Sequence, residues 1–469
     1  MKTTPIYIKN LSLKNIRTFG EVELNFENED GTLPQWTIIL GDNGIGKSTL
    51  LQCVAWMVPL FKFEIDNKIS NYVPSPFITN EENERFIGLV RKNNDAFKTG
   101  SNITAIFQSN KDLKSKVVSG KNDICKTNVD IEINKNDELI NVLFGLEPIN
   151  GNFNDNEVLI YAFSASRKLG KLNIASPELE DTISGFIDEE TILYDAEEIL
   201  LTVHHAGFGA KDNEIEQRRF DVYFNKVKEM LVSLLPDVKD IKDINVNAPR
   251  LVKNRIKQGG VLITTKHGKE IPLNDFSLGY KTTVFWSVDL SWRLFNKYPN
   301  SANPLSEPAI VLIDEIDLHL HPKWQLEIID NLSKHFPNIQ FIATAHSPLM
   351  VQSDTKANFA VLKFNDDTKS VEILNDPVGV DGWRVDQILT SDYFDLNSTR
   401  GPKYDKLLKK RSILIAKKSL TPKERKELEN ITEELSQYPS GETPAEMADK
   451  KLIREKIADF KKSGKVIKI

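Results

Sequence analysis

Cysteine is nearly absent from this sequence of 469 residues: Cys53 and Cys125 are the only two. Two thiols cannot build a disulfide framework or a cysteine-based zinc site, and such scarcity suits a reducing compartment, so a cytoplasmic location is expected. The seven histidines are scattered and form no metal-ligand cluster in the sequence. No apolar run is long enough to span a bilayer, and Met1-Lys2-Thr3-Thr4-Pro5 does not open a signal peptide; no membrane partner is expected. An overall excess of positive charge is lacking too, since the net charge is −6. The charge is uneven, however. Residues 401–469 hold 18 Lys and Arg against 11 Asp and Glu. That tail is either a surface for nucleic acid or an acidic partner, or a solvated helix face. What is present is ordinary for a folded chain of two or three domains, with 40% hydrophobic and 27% charged residues.

Residues 41–49 read GDNGIGKST and fit G-x-x-x-x-G-K-[ST] at every position. Thr37-Ile38-Ile39-Leu40 before them is apolar and partly β-branched, as a buried strand should be. Leu50 to Trp56 after them can open a helix. In a strand–turn–helix context, Gly41, Gly44 and Gly46 let the backbone N–H groups around Asn43 curl about phosphates, and the helix N-terminus favours negative charge. The motif then assigns Lys47 to the β- and γ-phosphates of ATP and the Ser48 hydroxyl to Mg²⁺, with Thr49 completing the loop.

A second apolar strand, Pro308 to Ile313, ends in Asp314-Glu315. Carboxylates at the C-terminal end of a core strand lie where α/β sheets place their chemistry. Asp314 is expected to hold Mg²⁺, and Glu315 to orient or deprotonate the attacking water. A third strand, Ile339 to Ala345, ends in His346, which can donate to the γ-phosphate or the water. It follows at the spacing of one strand–helix–strand unit. Ser277 and Gly279 stand before an apolar helical stretch, Thr282 to Phe295, and offer another anion seat at a helix N-terminus.

Taken in order, the phosphate loop, Ser277-Leu278-Gly279-Tyr280, Leu312-Ile313-Asp314-Glu315 and His346 resemble the Walker A, signature, Walker B and switch histidine of ABC-type ATPase heads. Asp317 resembles the D-loop aspartate of that group. The opening Ile6 to Phe19 is similar to the first strand and turn of SMC and RecF-like ATPases. Residues 314–322, Asp-Glu-Ile-Asp-Leu-His-Leu-His-Pro, resemble the OLD-like and AAA_21-type ATPases of bacterial defence systems, in which His319 and His321 belong to a loop and are not metal ligands. Two positions depart from the signature pattern: Phe276 replaces the usual Leu, and Leu278 the usual small residue. For the Q-loop, Gln108 and the segment Tyr161 to Arg167 both remain candidates.

The resemblance implies an α/β ABC-type P-loop head with a compact helical insertion and a C-terminal helical extension. The halves of the head are expected at 1–165 and 266–376, the mainly helical insertion at 166–265 and the basic helical extension at 377–469. No run of three or four heptads fills the insertion, so a long coiled-coil arm is excluded. Asn- and Lys-rich stretches such as Ser109 to Asn128 read as loops and short strands, and Asp181–Leu200 and Glu214–Leu235 as helices. Thr421-Pro422-Lys423-Glu424 and Thr443-Pro444-Ala445-Glu446 each open a helix with a capping box and Pro at its first position. The resemblance further implies that two copies clamp ATP jointly, Ser277 and Gly279 of one facing the phosphate loop of the other. Among defence ATPases the likeness is to the Septu type, which implies a separate HNH nuclease subunit as partner and DNA as a possible ligand. A RecF- or SMC-like repair ATPase, and a retron-associated nucleotide sensor with little turnover, are the rival expectations.

Overall fold

The computed structural model describes residues 5–28, 30–57, 64–65, 68–69, 88–91, 100–110, 113, 124–136, 139–150, 159–172, 186, 192–209, 213–235, 237–247, 250–252, 255–257, 259–354, 356–375, 377, 379–380, 382–396, 399, 401–417 and 421–436. They gather into two compact units, Met1–Asp395 and Leu396–Ile469.

Eleven strands form the sheet of the first unit: β1 (Ile6–Ile16), β2 (Phe19–Asn25), β3 (Trp36–Leu40), β4 (Ser101–Ser109), β5 (Ile124–Ile133), β6 (Leu139–Asn150), β7 (Ile160–Phe163), β8 (Ala309–Ile313), β9 (Ile339–Thr344), β10 (Asn358–Asn365) and β11 (Ser370–Asn375). Their spatial order is β6-β5-β4-β1-β2-β11-β10-β3-β9-β8-β7. One end is antiparallel, with β1 paired to both β2 and β4. The other is parallel: β3, β9, β8 and β7 run side by side, Leu312 opposite both Ile342 and Ala162. Strands β3, β8 and β9 are buried along their whole length. Full burial explains why they read as mainly apolar runs, broken only by Thr37 in β3 and by Gln340 and Thr344 in β9, since parallel strands are covered on both faces.

Alternation along each strand divides these residues between two cores. Ile39, Ile310, Leu312 and Ile342 face one layer with α1 (Lys47–Trp56). Trp36, Ile38, Val311, Ile313 and Phe341 face the other, which is covered by helices including α2 (Ala196–Gly209), α3 (Glu214–Leu234) and α4 (Leu278–Lys297). Trp36 stacks on Phe341 at 4.2 Å between centroids, which ties β3 to β9 through side chains as well as through the ladder.

Helix α3 begins at Asn213, whose side chain accepts from the Glu216 N–H, and it buries Tyr223, Val227 and Leu231 on one face. Residues 166–265 also contain short strands, among them Ile192–Tyr194, Ile244–Asn247 and Gly260–Thr264. The reading of Asp181–Leu200 as helix is corrected at Ile192–Tyr194, which pairs in parallel with Lys168–Leu172. In Ser109–Asn128, read as loops and short strands, Ile124 to Asn128 open a strand of ten residues, longer than expected. Its polar positions alternate with buried Cys125, Thr127 and Val129, the pattern of a half-wet antiparallel strand that a count of Asn and Lys obscures.

Between the sheet's last parallel strands run α5 (Pro322–Gln325) and α6 (Ile328–His335), and α7 (Pro348–Ser353) and α8 (Val385–Leu389) follow β9 and β11. The second unit holds α9 (Pro402–Ile415) and α10 (Pro422–Ser436), joined by buried Leu414, Ile431 and Leu435. Thr421 and Glu424 make the expected capping box, with Glu424 N–H donating to the Thr421 hydroxyl and Thr421 N–H to the Glu424 carboxylate. The second box, from Thr443, lies outside the described residues.

Candidate functional site

The loop 41–46 leaves β3 and enters α1 with Gly41, Gly44 and Gly46 at φ of +148°, +73° and +120°. A side chain is excluded at Gly46 for two reasons: its φ is left-handed, and an added Cβ would stand 2.8 Å from the Phe19 ring. Gly46 also sits at the N-cap of α1, where no side chain bonds the first N–H groups. Those donors and the positive end of the helix dipole therefore remain for an anion. Thr18 fastens the loop from outside by donating its hydroxyl to the Ile45 carbonyl at 2.9 Å.

Lys47 is buried and folds back over the loop, Nζ donating to the carbonyls of Gly41 at 2.7 Å and Asp42 at 2.9 Å. Burial lowers its pKa, against the opposing pull of Asp314, Glu315, Asp42 and Asp317. Ser48 donates its hydroxyl to Oδ2 of Asp314 at 2.7 Å, across 266 positions of sequence. The other oxygen of Asp314 accepts from Thr344 Oγ at 2.6 Å. Thr344 in turn accepts the Glu315 N–H at 2.7 Å. Glu315 has a φ of +50°, a left-handed conformation uncommon for a residue other than Gly, Asn or Asp. Its Oε1 lies 3.9 Å from Nε2 of His346, both side chains being 34% exposed.

Ends of β3, β8 and β9 thus bring together Lys47, Ser48, Asp314, Glu315 and His346. Asp317 joins from the loop after β8. It is nearly buried and accepts the N–H groups of His346 and Ser347 at 3.0 and 2.7 Å, so it sets the backbone that presents the imidazole. Asn43 lines a hollow of about 340 Å³ beside the loop, together with Gly41, Ile45, His346, Leu362 and Phe364. Thr49 is buried in the first turn of α1 and accepts from Arg17 at 3.0 Å.

Ser277 stands at the N-cap of α4 with no capping bond from its side chain. Gly279 is buried against the 315–322 loop of its own chain, and any Cβ there would collide with the His319 carbonyl oxygen. Edge-on contacts of Tyr280 with Trp324 and Phe276 complete this seam. Leu278, by contrast, is 54% exposed.

Two participants had little voice in the sequence, and a third, Arg167, stood there only as the end of a Q-loop candidate segment with its role open. Thr344 is the polar end of a strand whose other residues, Gln340 apart, are apolar, and a hydroxyl buried there was its only signal. Arg17 reaches Thr49 from a turn that precedes the loop by more than twenty residues. Arg167 lies behind Asp314 and Glu315. Gln108, one Q-loop candidate, is fully buried in β4, and its amide has no hydrogen-bond partner among the described residues.

Oxygen donors from Ser48 and Asp314 at hydrogen-bond distance suit a hard cation such as Mg²⁺, which takes few protein ligands beside phosphate. The glycine loop with its uncapped helix suits the phosphates. A parallel-stranded α/β core carrying these two halves at the ends of β3 and β8, with β9 between them, defines a P-loop ATPase. The family model described as "AAA domain, putative AbiEii toxin, Type IV TA system" matches residues 37–352, and the chain belongs to that family. It is 26% identical over 438 residues to the Septu protein PtuA of Bacillus mycoides strain KBAB4, covering 92% of this chain and 51% of the relative. It therefore spans about half the length of that relative. It is 27% identical over 399 residues to the retron Vc95 probable ATPase of Vibrio cholerae serotype O1 biovar El Tor, covering 76% and 73% of the two chains. Among solved structures, an Smc head bound to the C-winged helix domain of ScpA superposes with a TM-score of 0.38 at 13% identity, over 79% of this chain and 97% of that one.

Proposed function

We propose that this chain binds and hydrolyses ATP at a site shared by two copies, and that the nucleotide state gates a partner in an antiphage defence complex. The observation that carries the reading is the Ser48–Asp314 bond, which closes the two halves of the site on one another. Lys47, turned inward onto the loop carbonyls, is placed to exchange those acceptors for the β- and γ-phosphates. Ser48 and Asp314 would hold Mg²⁺, which when bound would offset phosphate charge. Glu315 accepts the proton of the attacking water, and His346 donates to the γ-phosphate or to that water. Asn43 and the amides of residues 41–49 cradle the phosphates.

Ser277, whose side chain makes no capping bond, and the exposed Leu278 form the surface that meets the second copy's loop, with Gly279 buried beneath it and Asp317 in the D-loop role. On this reading residues 1–165 and 266–376 make the head, 166–265 the insertion and 377–469 the extension. The Septu and retron names of the relatives support a role in defence. The sequence resemblance adds a separate HNH nuclease subunit, with DNA as the nuclease's target or as a direct ligand of this chain, in the cytoplasm.

The test is the mass of the Glu315→Gln variant by light scattering, with and without ATP and Mg²⁺. An ATP-dependent rise supports the shared site. Nucleotide bound by a protein whose mass never changes overturns it. Co-expression with the product of the neighbouring gene, followed by co-purification, tests the nuclease partner.

A further inference from the structure

We infer that Arg167 is the positioning residue that fixes the direction of the Glu315 carboxylate. This rests on the reading of Glu315 as the base and adds a residue to it. Arg167 follows β7, the edge strand whose Ala162 and Phe163 pair with Leu312 and Ile313 of β8. The Asp314 N–H donates to the Phe163 carbonyl at 2.9 Å, so the ladder runs up to the first carboxylate and then stops. Beyond that point the backbone of Glu315 turns left-handed, at φ +50°.

The Arg167 guanidinium lies where the ladder ends. Its Nη2 donates to the carbonyls of both Asp314, at 2.5 Å, and Glu315, at 2.8 Å. Its Nε donates to the Ser164 carbonyl at 2.8 Å, which closes the turn that carries the arginine itself. The side chain is buried, and burial pulls its pKa down to about 10 against the stabilising charges of Asp314, Glu315 and Asp317. Its Nε and Nη2 serve main-chain carbonyls, with three carboxylates near. It holds the peptide from which Glu315 projects. Thr344 grips that peptide from the other side, accepting the Glu315 N–H. The residue is thus held at both its N–H and its C=O, which is what an uncommon backbone conformation requires to persist. The planar guanidinium holds Ser164 through Nε while Nη2 reaches the Asp314 and Glu315 carbonyls, a fixed spacing that the point charge of lysine on a flexible stem does not reproduce.

The experiment compares Arg167→Lys and Arg167→Met with Glu315→Gln in the full chain, reading nucleotide affinity with a fluorescent ATP analogue, steady-state kcat and KM, and thermal midpoint. The expected result is a kcat at least tenfold lower in both arginine variants, with KM and nucleotide affinity within about threefold of the parent, and no rescue by lysine. Full turnover in Arg167→Lys, or a loss confined to affinity or to folding, overturns the inference. If Arg167→Met fails to fold, the lysine variant, which keeps the charge, still decides. Unchanged turnover in Glu315→Gln would instead overturn the reading of the base. The two failures are therefore distinguishable.

Discussion

Glu315 Oε1 and His346 Nε2 stand 3.9 Å apart at the ends of neighbouring parallel strands, equally exposed at 34%. Neither donates to nor accepts from the other at that range, and the gap leaves both free to engage a third group. Replacement of Glu315 by Gln keeps the shape and removes the base. Turnover should fall by about 10²- to 10⁴-fold with ATP binding retained, and His346→Ala should fall less. Phosphate release under saturating ATP checks this, and an unimpaired Glu315→Gln would remove the residue from the chemistry.

Lys47 contributes one cation whose donors already satisfy two loop carbonyls. Lys47→Ala should weaken nucleotide binding by roughly 10- to 100-fold, the loss of about 1.5–3 kcal/mol that follows removal of a charged hydrogen bond. Titration with a fluorescent nucleotide measures it. Ser48→Ala should show its deficit chiefly as a raised Mg²⁺ requirement.

Thr344→Val preserves volume and deletes the hydroxyl that joins Asp314 Oδ1 to the Glu315 N–H. Both groups lose a partner in a buried position, so stability should drop by about 1–3 kcal/mol, and turnover should drop with it. Urea unfolding gives the first number. A neutral outcome would mean that water replaces the hydroxyl.

Gly279→Ala drives a methyl into the His319 carbonyl. The cost should be about 1–3 kcal/mol of overpacking strain. The start of α4 should shift off the 315–322 loop, so ATP-dependent association should fail while a single copy still binds nucleotide. Association at parental strength would show that the seam tolerates movement.

Both thiols should be silent in the native protein. Burial pushes Cys53 up to about 12, with Arg17 pulling weakly the other way, and burial alone pushes Cys125 up to about 12. A raised thiol pKa keeps the unreactive protonated form dominant at every pH below that value. Alkylation at pH 8 should therefore be slow in buffer and fast in denaturant. Rapid native labelling of either residue would place it nearer the surface.

Much of the site was legible because its chemistry is local. The phosphate loop needs glycine at fixed spacings, Lys and Ser at the helix start, and an apolar strand before it. Each is a property of neighbouring residues, so Gly41 to Thr49 announce themselves. Asp314-Glu315 and His346 are legible for a related reason: a fully buried parallel strand is a short apolar run, and a charge at its end stands out. Long antiparallel strands such as β5 were obscure because their wet face carries the same Asn and Lys that loops do.

Some residues speak only through partners distant in sequence. Arg167 lies 147 positions from Asp314, Arg17 lies 32 from Thr49, and the three core strands meet only when β9 inserts between β3 and β8. Sequence by itself determined which groups could touch a triphosphate, because local backbone chemistry and strand burial are written residue by residue. Only the tertiary structure decided which groups hold those in place, because a main-chain carbonyl belongs to every residue and its donor is chosen by packing.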